Sequence, residues 1–400
     1  MKSIGAIVGD IVGSIYEFDN HRSKDFELFG NEVECTDDSI MTIATMSALL
    51  NGGSHDDFVD AYKQLGNEYP SSYGTRFSQW LVADNPKPYD SWGNGAPMRV
   101  SPVAWFYSKL EDVERMAKVS AEVTHNHPEG IKGAQSIAGA IFLARTGKSK
   151  QDIKEYAEKQ YGYFLDFKLD DIRESYQFDE SSAGTVPPAI VAFLESSDFE
   201  DAIRNAISIG GDSDTMAAIT GSIAEAFYSV PSDIEGKALK YLPPKLFAIL
   251  REFNKAITPI LTVAKFQTLS NTDIEALRSL NARIQSHNGD WGVYHQSKKT
   301  ESGANTLPWV EQSELIQEFV QFMYDKDLVI NFDWKNWQEG RDWLALKDDD
   351  KYEKLDIEIA LKLLTAVIRN DRFNEGVLVR AFEGGGFSKI IRSLIRLVGT

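Results

Sequence analysis

The sequence predicts an all-α protein in two domains, a larger helical one followed by a smaller, mostly helical one. Three observations carry that expectation. Apolar residues recur at helical spacing through the first 255 or so residues, alternating strand-type patterns are scarce there, and the texture changes near residue 265. Beyond that point Trp291, Trp309, Trp334, Trp337 and Trp343 supply five of the eight tryptophans. The expected domains are therefore 1–265 and 266–400.

Ile4, Ile7, Val8, Ile11, Val12 and Ile15 keep helical spacing, while Gly5, Gly9 and Gly13 share another face. Glycines four apart allow close backbone approach, so this is a tightly packed core helix. It ends at Glu17, which lies between Tyr16 and Phe18. That position suits a ligand or a general base, and equally an ordinary solvated glutamate. Residues 21–34 read as a loop, and 39–50, 55–69 and a short piece near 75–83 as helices. Asp84 to Met98 holds three prolines and two glycines and reads as a long loop, a kind of segment that often carries function. Within it, Gly93-Asn94-Gly95 offers backbone N–H groups to a diphosphate, with Arg99 nearby; the alternative is a structural turn whose Arg99 makes an ion pair.

Helices follow at 111–123 and 133–146, separated by Thr124-His125-Asn126-His127. Two histidines two apart invite a zinc reading, but no third ligand lies close by. A polar junction between helices or a contact with substrate hydroxyls fits better. Thr146-Gly147-Lys148-Ser149 lacks the first glycine of a phosphate-binding loop, since Phe142 stands there. Residues 148–180 are polar and aromatic, and helices resume at 188–195, 199–208 and 215–228. In the second domain the spacing predicts helices at 272–286, 311–325 and 354–369, then a glycine turn at Gly384 to Gly386 before a final helix. Asp348-Asp349-Asp350 reads as a solvated loop.

At 400 residues and 42% hydrophobic the chain can build sizeable cores. A formal net charge of −18 argues against the phosphate backbone of nucleic acid as its main partner. Cys35 is the single cysteine, so no intrachain disulfide forms and a reducing cytoplasm is the expected home. The first residues superficially suit a signal peptide, yet Asp10 interrupts the apolar run, and no segment approaches a membrane span.

The chemistry concentrates at two helix starts. Gly210-Gly211-Asp212-Ser213-Asp214-Thr215 opens into an apolar helix, and Cys35-Thr36-Asp37-Asp38-Ser39 opens another. Acids and hydroxyls cap helices, and the helix dipole favours negative charge there. A cap needs one such residue, however, and crowded carboxylates repel unless a cation joins them. Oxygen donors of this kind suit a hard divalent ion, Mg²⁺, Mn²⁺ or Ca²⁺, rather than zinc. Two such ends facing each other would hold a pair of ions; the alternative is two separately capped helices.

With these motifs assembled, the first 250 or so residues resemble the ADP-ribosylglycohydrolase family. The matching pieces are Gly9-Asp10 through Gly13 to Glu17, Thr36-Asp37-Asp38-Ser39, Gly93-Asn94-Gly95 through Arg99, Thr124-His125, and Gly211-Asp212-Ser213-Asp214-Thr215, in the family's order. The resemblance implies an all-α fold around two Mg²⁺ or Mn²⁺ ions and release of ADP-ribose from a modified acceptor by cleavage at the ribosyl C1. It implies metal ligands at Thr36, Asp37, Asp38, Asp212, Asp214 and Thr215, with Glu17 at the metal edge. The candidate catalytic residues are Glu17, Asp37 and Asp38; Gly93, Asn94, Gly95, Met98, Arg99 and His125 correspond to substrate-binding positions. Ser39 and Ser213 stand where many members have threonine, which keeps an oxygen donor. The expected partners are ADP-ribose and an ADP-ribosylated protein or small molecule, a modified nucleic-acid base remaining open. Rival expectations are a non-catalytic ADP-ribose reader, a metal-dependent phosphodiesterase acting on ADP-ribose, and a helical protein merely braced by Ca²⁺. The second domain resembles a module of unknown function found fused to such enzymes.

Overall fold

Helical spacing in the sequence becomes helix almost throughout. The computed structural model describes residues 1–297, 308–345 and 349–398. The chain divides into two compact units, Met1–Ala256 and Ile257–Thr400. The first runs through α1 (Gly5–Gly13), α2 (Asp37–Leu50), α3 (His55–Glu68), α4 (Thr75–Val82), α5 (Gly95–Arg99), α6 (Ser101–Phe106), α7 (Leu110–Glu122) and α8 (Pro128–Arg145). It continues with α9 (Lys150–Tyr161), α10 (Leu169–Ile172), α11 (Ser182–Glu195), α12 (Phe199–Ile207), α13 (Ser213–Tyr228) and α14 (Ser232–Ala238). The division falls inside α15 (Pro244–Gln267), the helix on which the expected boundary near 265 also lies.

Two helices, α1, buried throughout, and α13, buried from Ser213 to Glu225, form the centre of the first unit. Their backbones touch. A Cβ built on Gly9 would fall 2.0 Å from the carbonyl oxygen of Ala217, and one on Gly13 would fall 2.5 Å from Cα of Asp214. At the far end of the pair, buried Glu225 of α13 accepts the Gly5 N–H at 2.7 Å and so caps α1 from outside. Its second carboxylate oxygen has no hydrogen-bond partner among the described residues. Burial pushes the Glu225 pKa up to about 7, against the opposing pull of the Gly5 hydrogen bond and the Lys2 charge.

Several elements differ from the sequence expectation, each for a local reason. Helix α8 starts at Pro128 rather than 133 because the His127 ring accepts the Glu129 N–H at 3.1 Å, with proline at the first turn. Helix α11 starts at Ser182 rather than 188, capped by the Ser181 hydroxyl, and carries Pro187 and Pro188 inside it. Helix α9, absent from the expectation, opens with a capping box between Ser149 and Asp152. It buries only Ile153 and Ala157, too thin an apolar stripe to read. Helices α5 and α6 are short and arise in and beside the expected loop.

The second unit packs α16 (Asn271–Ser286), α17 (Glu314–Asp325), α18 (Gln338–Ala345), α19 (Ile357–Asp371), α20 (Val377–Glu383) and α21 (Gly386–Leu397) around a core that includes Phe319, Leu364, Phe382, Phe387 and Ile391. An antiparallel hairpin joins β1 (Gly292–His295) to β2 (Trp309–Gln312) with Gly292 opposite Gln312. Residues 311 and 312, expected as helix, therefore belong to a strand. The expected glycine turn is present, with Gly385 at φ +68° just before α21. Asp348 lies outside the described residues; Asp349 opens a 3-10 turn ending at Lys354. Among the described residues no helix is long and apolar enough to cross a membrane.

Two outcomes follow from the α1–α13 contact. Gly9→Ala should lower unfolding stability by about 2 kcal/mol or more, since the added methyl meets backbone that cannot rotate away, and a urea titration reads this. For Glu225 the folded pKa lies above the usual carboxylate value, so its contribution is present in acid and fades as pH rises through 7. Thermal midpoints measured from about pH 5.5 to about pH 8 should fall more in the wild type than in Glu225→Gln.

Candidate metal centre and binding cleft

Three chain segments deliver the acidic side chains. Helix α2 begins after Thr36 with Asp37 and Asp38 in its first turn, and α13 begins after Asp212 with Asp214 in its first turn. The 3-10 turn Ser14–Tyr16 that follows α1 ends on Glu17. The two expected helix starts do face each other. Thr215 Oγ1 donates to Asp38 Oδ2 at 3.1 Å, and Thr36 Oγ1 lies 3.5 Å from Asp214 Oδ2. Carboxylate oxygens of Asp10, Asp38 and Asp214 lie within 4.8 Å of one another, as do those of Glu17, Asp212 and Asp214. Asp214 is common to both groups.

The turn before α13 needs its glycines. Gly210 and Gly211 have φ of +71° and +80°, and a Cβ on Gly211 would strike the Tyr176 ring at 2.4 Å. Asn20 clamps this turn to the Glu17 segment. Its amide donates to the carbonyls of Tyr16, Glu17 and Gly211, and its oxygen accepts the Gly211 N–H at 2.8 Å.

The electrostatics are one-sided. Burial, reinforced by the charges of neighbouring carboxylates, holds Asp38 and Asp214 well above the usual range. Burial likewise pushes Asp10 and Glu17 up to about 7 and Asp37 up to about 6, and raises Asp212. Among the described residues no Lys or Arg forms an ion pair with any of these six. Asp38 Oδ1 is buried with no hydrogen-bond partner. An orphaned anionic oxygen amid five other carboxylates, with hydroxyls interleaved, fits a hard divalent cation.

All of these acids except Asp10 line a cleft of about 360 Å³. Of the predicted site residues, all line it except Thr36. The Gly93 loop is strapped to the start of α11: Asn94 N–H donates to the Glu180 carbonyl at 2.8 Å, and Ser182 N–H donates to the Trp92 carbonyl at 3.0 Å. Asn94, expected on the substrate side, donates through its amide to Asp212 Oδ2 at 2.6 Å and to Thr185 Oγ1 at 3.0 Å. It therefore also orients an acid of the cluster. A Cβ on Gly95 would lie 3.1 Å from His125 Nε2, so glycine leaves room for that ring.

Arg99 is buried and makes no ion pair among the described residues. It donates to Thr124 Oγ1 at 2.7 Å and lies 4.1 Å over the Tyr62 ring. Thr124 Oγ1 also meets His125 Nδ1 at 2.7 Å. Burial, then the nearby Arg99 and Arg76 charges, hold His125 well below its ordinary pKa, so it is neutral. His127 serves as a helix cap, the polar junction expected, and the histidine pair forms no zinc site among the described residues.

Sequence reasoning missed Asp10, Asn20 and Arg76. Asp10 had a signal: a carboxylate on the apolar run of a glycine-faced helix has to be satisfied by something buried. Arg76, in the first turn of α4, lines the cleft and stacks on Tyr89 with 4.9 Å to the ring centroid.

Residues 3–255 match the family described as ADP-ribosylglycohydrolase. The chain belongs to that family. Residues 269–400 match a second family, described only as of unknown function (DUF6508). The ADP-ribosylhydrolase ARH3 of Homo sapiens is 28% identical over 312 residues, covering 56% of this chain and 84% of the relative. The ADP-ribosyl-[dinitrogen reductase] glycohydrolase of Rhodospirillum rubrum is 23% identical over 286 residues, covering 65% and 94%. A solved structure, titled an ADP-ribosylglycohydrolase-related protein complex, superposes with a TM-score of 0.50 at 24% identity, covering 64% of this chain and 96% of that one. It supports the all-α fold of the family domain.

The crowded acids make a direct stability test. Without added metal, Asp214→Asn should melt about 3 °C higher than wild type near pH 8, the shift that roughly 1 kcal/mol produces in a domain of this size. Saturating Mn²⁺ should raise the wild-type midpoint and leave the variant's nearly unchanged, which a thermal-shift series reads.

Proposed function

We propose that this chain is a metal-dependent hydrolase that cleaves the ribosyl C1 bond of an ADP-ribosylated acceptor and releases ADP-ribose. The observation that carries the reading is the pair of carboxylate groups sharing Asp214 on the floor of the cleft. Thr36, Asp37, Asp38, Asp212, Asp214 and Thr215 would hold two Mg²⁺ or Mn²⁺ ions, with Glu17 at their edge. When bound, such ions supply positive charge that orients ribose hydroxyls and water.

The chain's own groups do the rest. Glu17 lies at the cleft with its pKa pushed up to about 7 by burial and by the charges of Asp212, Asp37 and Asp10. Its place in the cleft beside the acidic cluster suits a general base toward water or a general acid toward the leaving atom. The Gly95 N–H at the start of α5 and neutral His125 would receive the diphosphate, backed by the Arg99 charge. Trp92 and Phe178, each nearly half exposed where they line the cleft, offer ring faces to the nucleotide base. Asn94 and Asn20 keep the Asp212 turn in register with this apparatus.

The test is release of free ADP-ribose from peptides ADP-ribosylated on arginine or on serine, with Mg²⁺ or Mn²⁺ supplied. Glu17→Gln should retain Mn²⁺ and ADP-ribose binding while losing at least about a hundredfold in kcat, the scale of a lost general acid or base. Wild-type turnover in that variant removes Glu17 from the reaction. Binding of ADP-ribose without release by the wild-type chain would make it a reader, and cleavage of the diphosphate would make it a phosphodiesterase.

A further inference from the structure

The polar contacts of Asp10 set it apart from the other acids of the cluster. It is fully buried on α1 and has no Lys or Arg ion-pair partner among the described residues. One oxygen, Oδ1, accepts the Thr36 hydroxyl. The other, Oδ2, accepts the Ser39 hydroxyl, the Thr36 N–H at 3.0 Å and the Ser39 N–H at 3.2 Å. Each carboxylate oxygen has two lone-pair sites, so three donors leave Oδ2 none for a cation, and Oδ1 keeps one site beside the Thr36 hydroxyl. Asp38, by contrast, keeps one oxygen with no hydrogen-bond partner.

A hydroxyl has one proton and two lone pairs. To ligate a cation it must turn a lone pair toward the ion and send its proton elsewhere. Thr36 Oγ1 has two acceptors in reach, Asp10 Oδ1 and, at 3.5 Å, Asp214 Oδ2. Once Asp214 faces a cation, only Asp10 remains for that proton. The same carboxylate caps the α2 start, where Thr36 makes no side-chain cap of its own.

We propose that Asp10 is a positioning residue of the cation site: it takes the Thr36 hydroxyl proton and anchors the α2 N-terminus, turning the Thr36 lone pair toward the ion. The proposal rests on the metal reading above. Its work lies behind the ligands, where outer carboxylates commonly change metal affinity by about 10–100-fold.

The test uses the full chain with Mn²⁺ alone as probe, calorimetry giving affinity and electron paramagnetic resonance giving the number of bound ions. Asp10→Asn and Thr36→Val should each weaken Mn²⁺ binding about 10–100-fold with the ion count unchanged. The double variant should be no weaker than the worse single one, because both remove the same oriented hydroxyl. Thr36→Ser, which keeps the hydroxyl, should bind as wild type. Loss of one ion on Asp10→Asn would make Asp10 a direct ligand and overturn the proposal, as would wild-type affinity or additive losses. Should Asp10→Asn not fold, equal affinities of Thr36→Val and Thr36→Ser overturn it instead. A wild-type chain that binds no Mn²⁺ refutes the metal reading itself, an outcome distinct from the others.

Discussion

The structure of the first unit depends on two helices meeting with no side chain between them. Glycine every fourth residue on α1 lets its backbone reach the backbone of α13, and both helices are buried where they meet. Close-packed interiors transmit such placement rigidly. Asp10 lies one turn before Gly13, whose Cα faces Asp214, so backbone contact itself brings acids from opposite ends of the domain sequence together. Larger residues on α1 would separate the helices and open the cluster. Glu225 fastens the opposite end of the same pair, away from the cleft.

That geometry is electrostatically expensive. Six carboxyls crowd a partly buried region with no basic ion-pair partner among the described residues, and each is held above its ordinary pKa. A fold retains such a conflict where a function needs it. The same cleft also holds positive charge: Arg99 is buried without an ion-pair partner among the described residues, Arg76 lines the wall, and His125 is kept neutral near them. One cavity thus presents both a cluster of acids and a pair of arginines. An elongated ligand with hydroxyls at one end and phosphates further along matches that combination.

Much of this was legible in the chain itself. Thr36-Asp37-Asp38-Ser39 and Asp212-Ser213-Asp214-Thr215 carry more oxygen donors than a cap requires, and both proved to be helix starts. That they face each other across the site is a tertiary fact no local pattern contains. In the sequence Asp10 reads only as an interruption of an apolar run and as part of a family motif, with no role at the site; its four donors come from residues 36 and 39. Arg99 drew two expectations, a diphosphate contact or an ion pair, and the structure has it stacked on Tyr62 and bonded to Thr124. Helix α9 hid because only Ile153 and Ala157 mark its buried side, and β2 hid because a four-residue strand adjoins a strongly periodic helix.

Asn20 has a mechanical consequence. One exposed amide bridges the segment that bears Glu17 and the left-handed turn that leads into Asp212. The two segments are buckled together by the protein, whether or not anything occupies the space between their carboxyls. Shifting either one pulls on the other, so the separation between the Glu17 carboxyl and its acidic neighbours is inherited from the main chain.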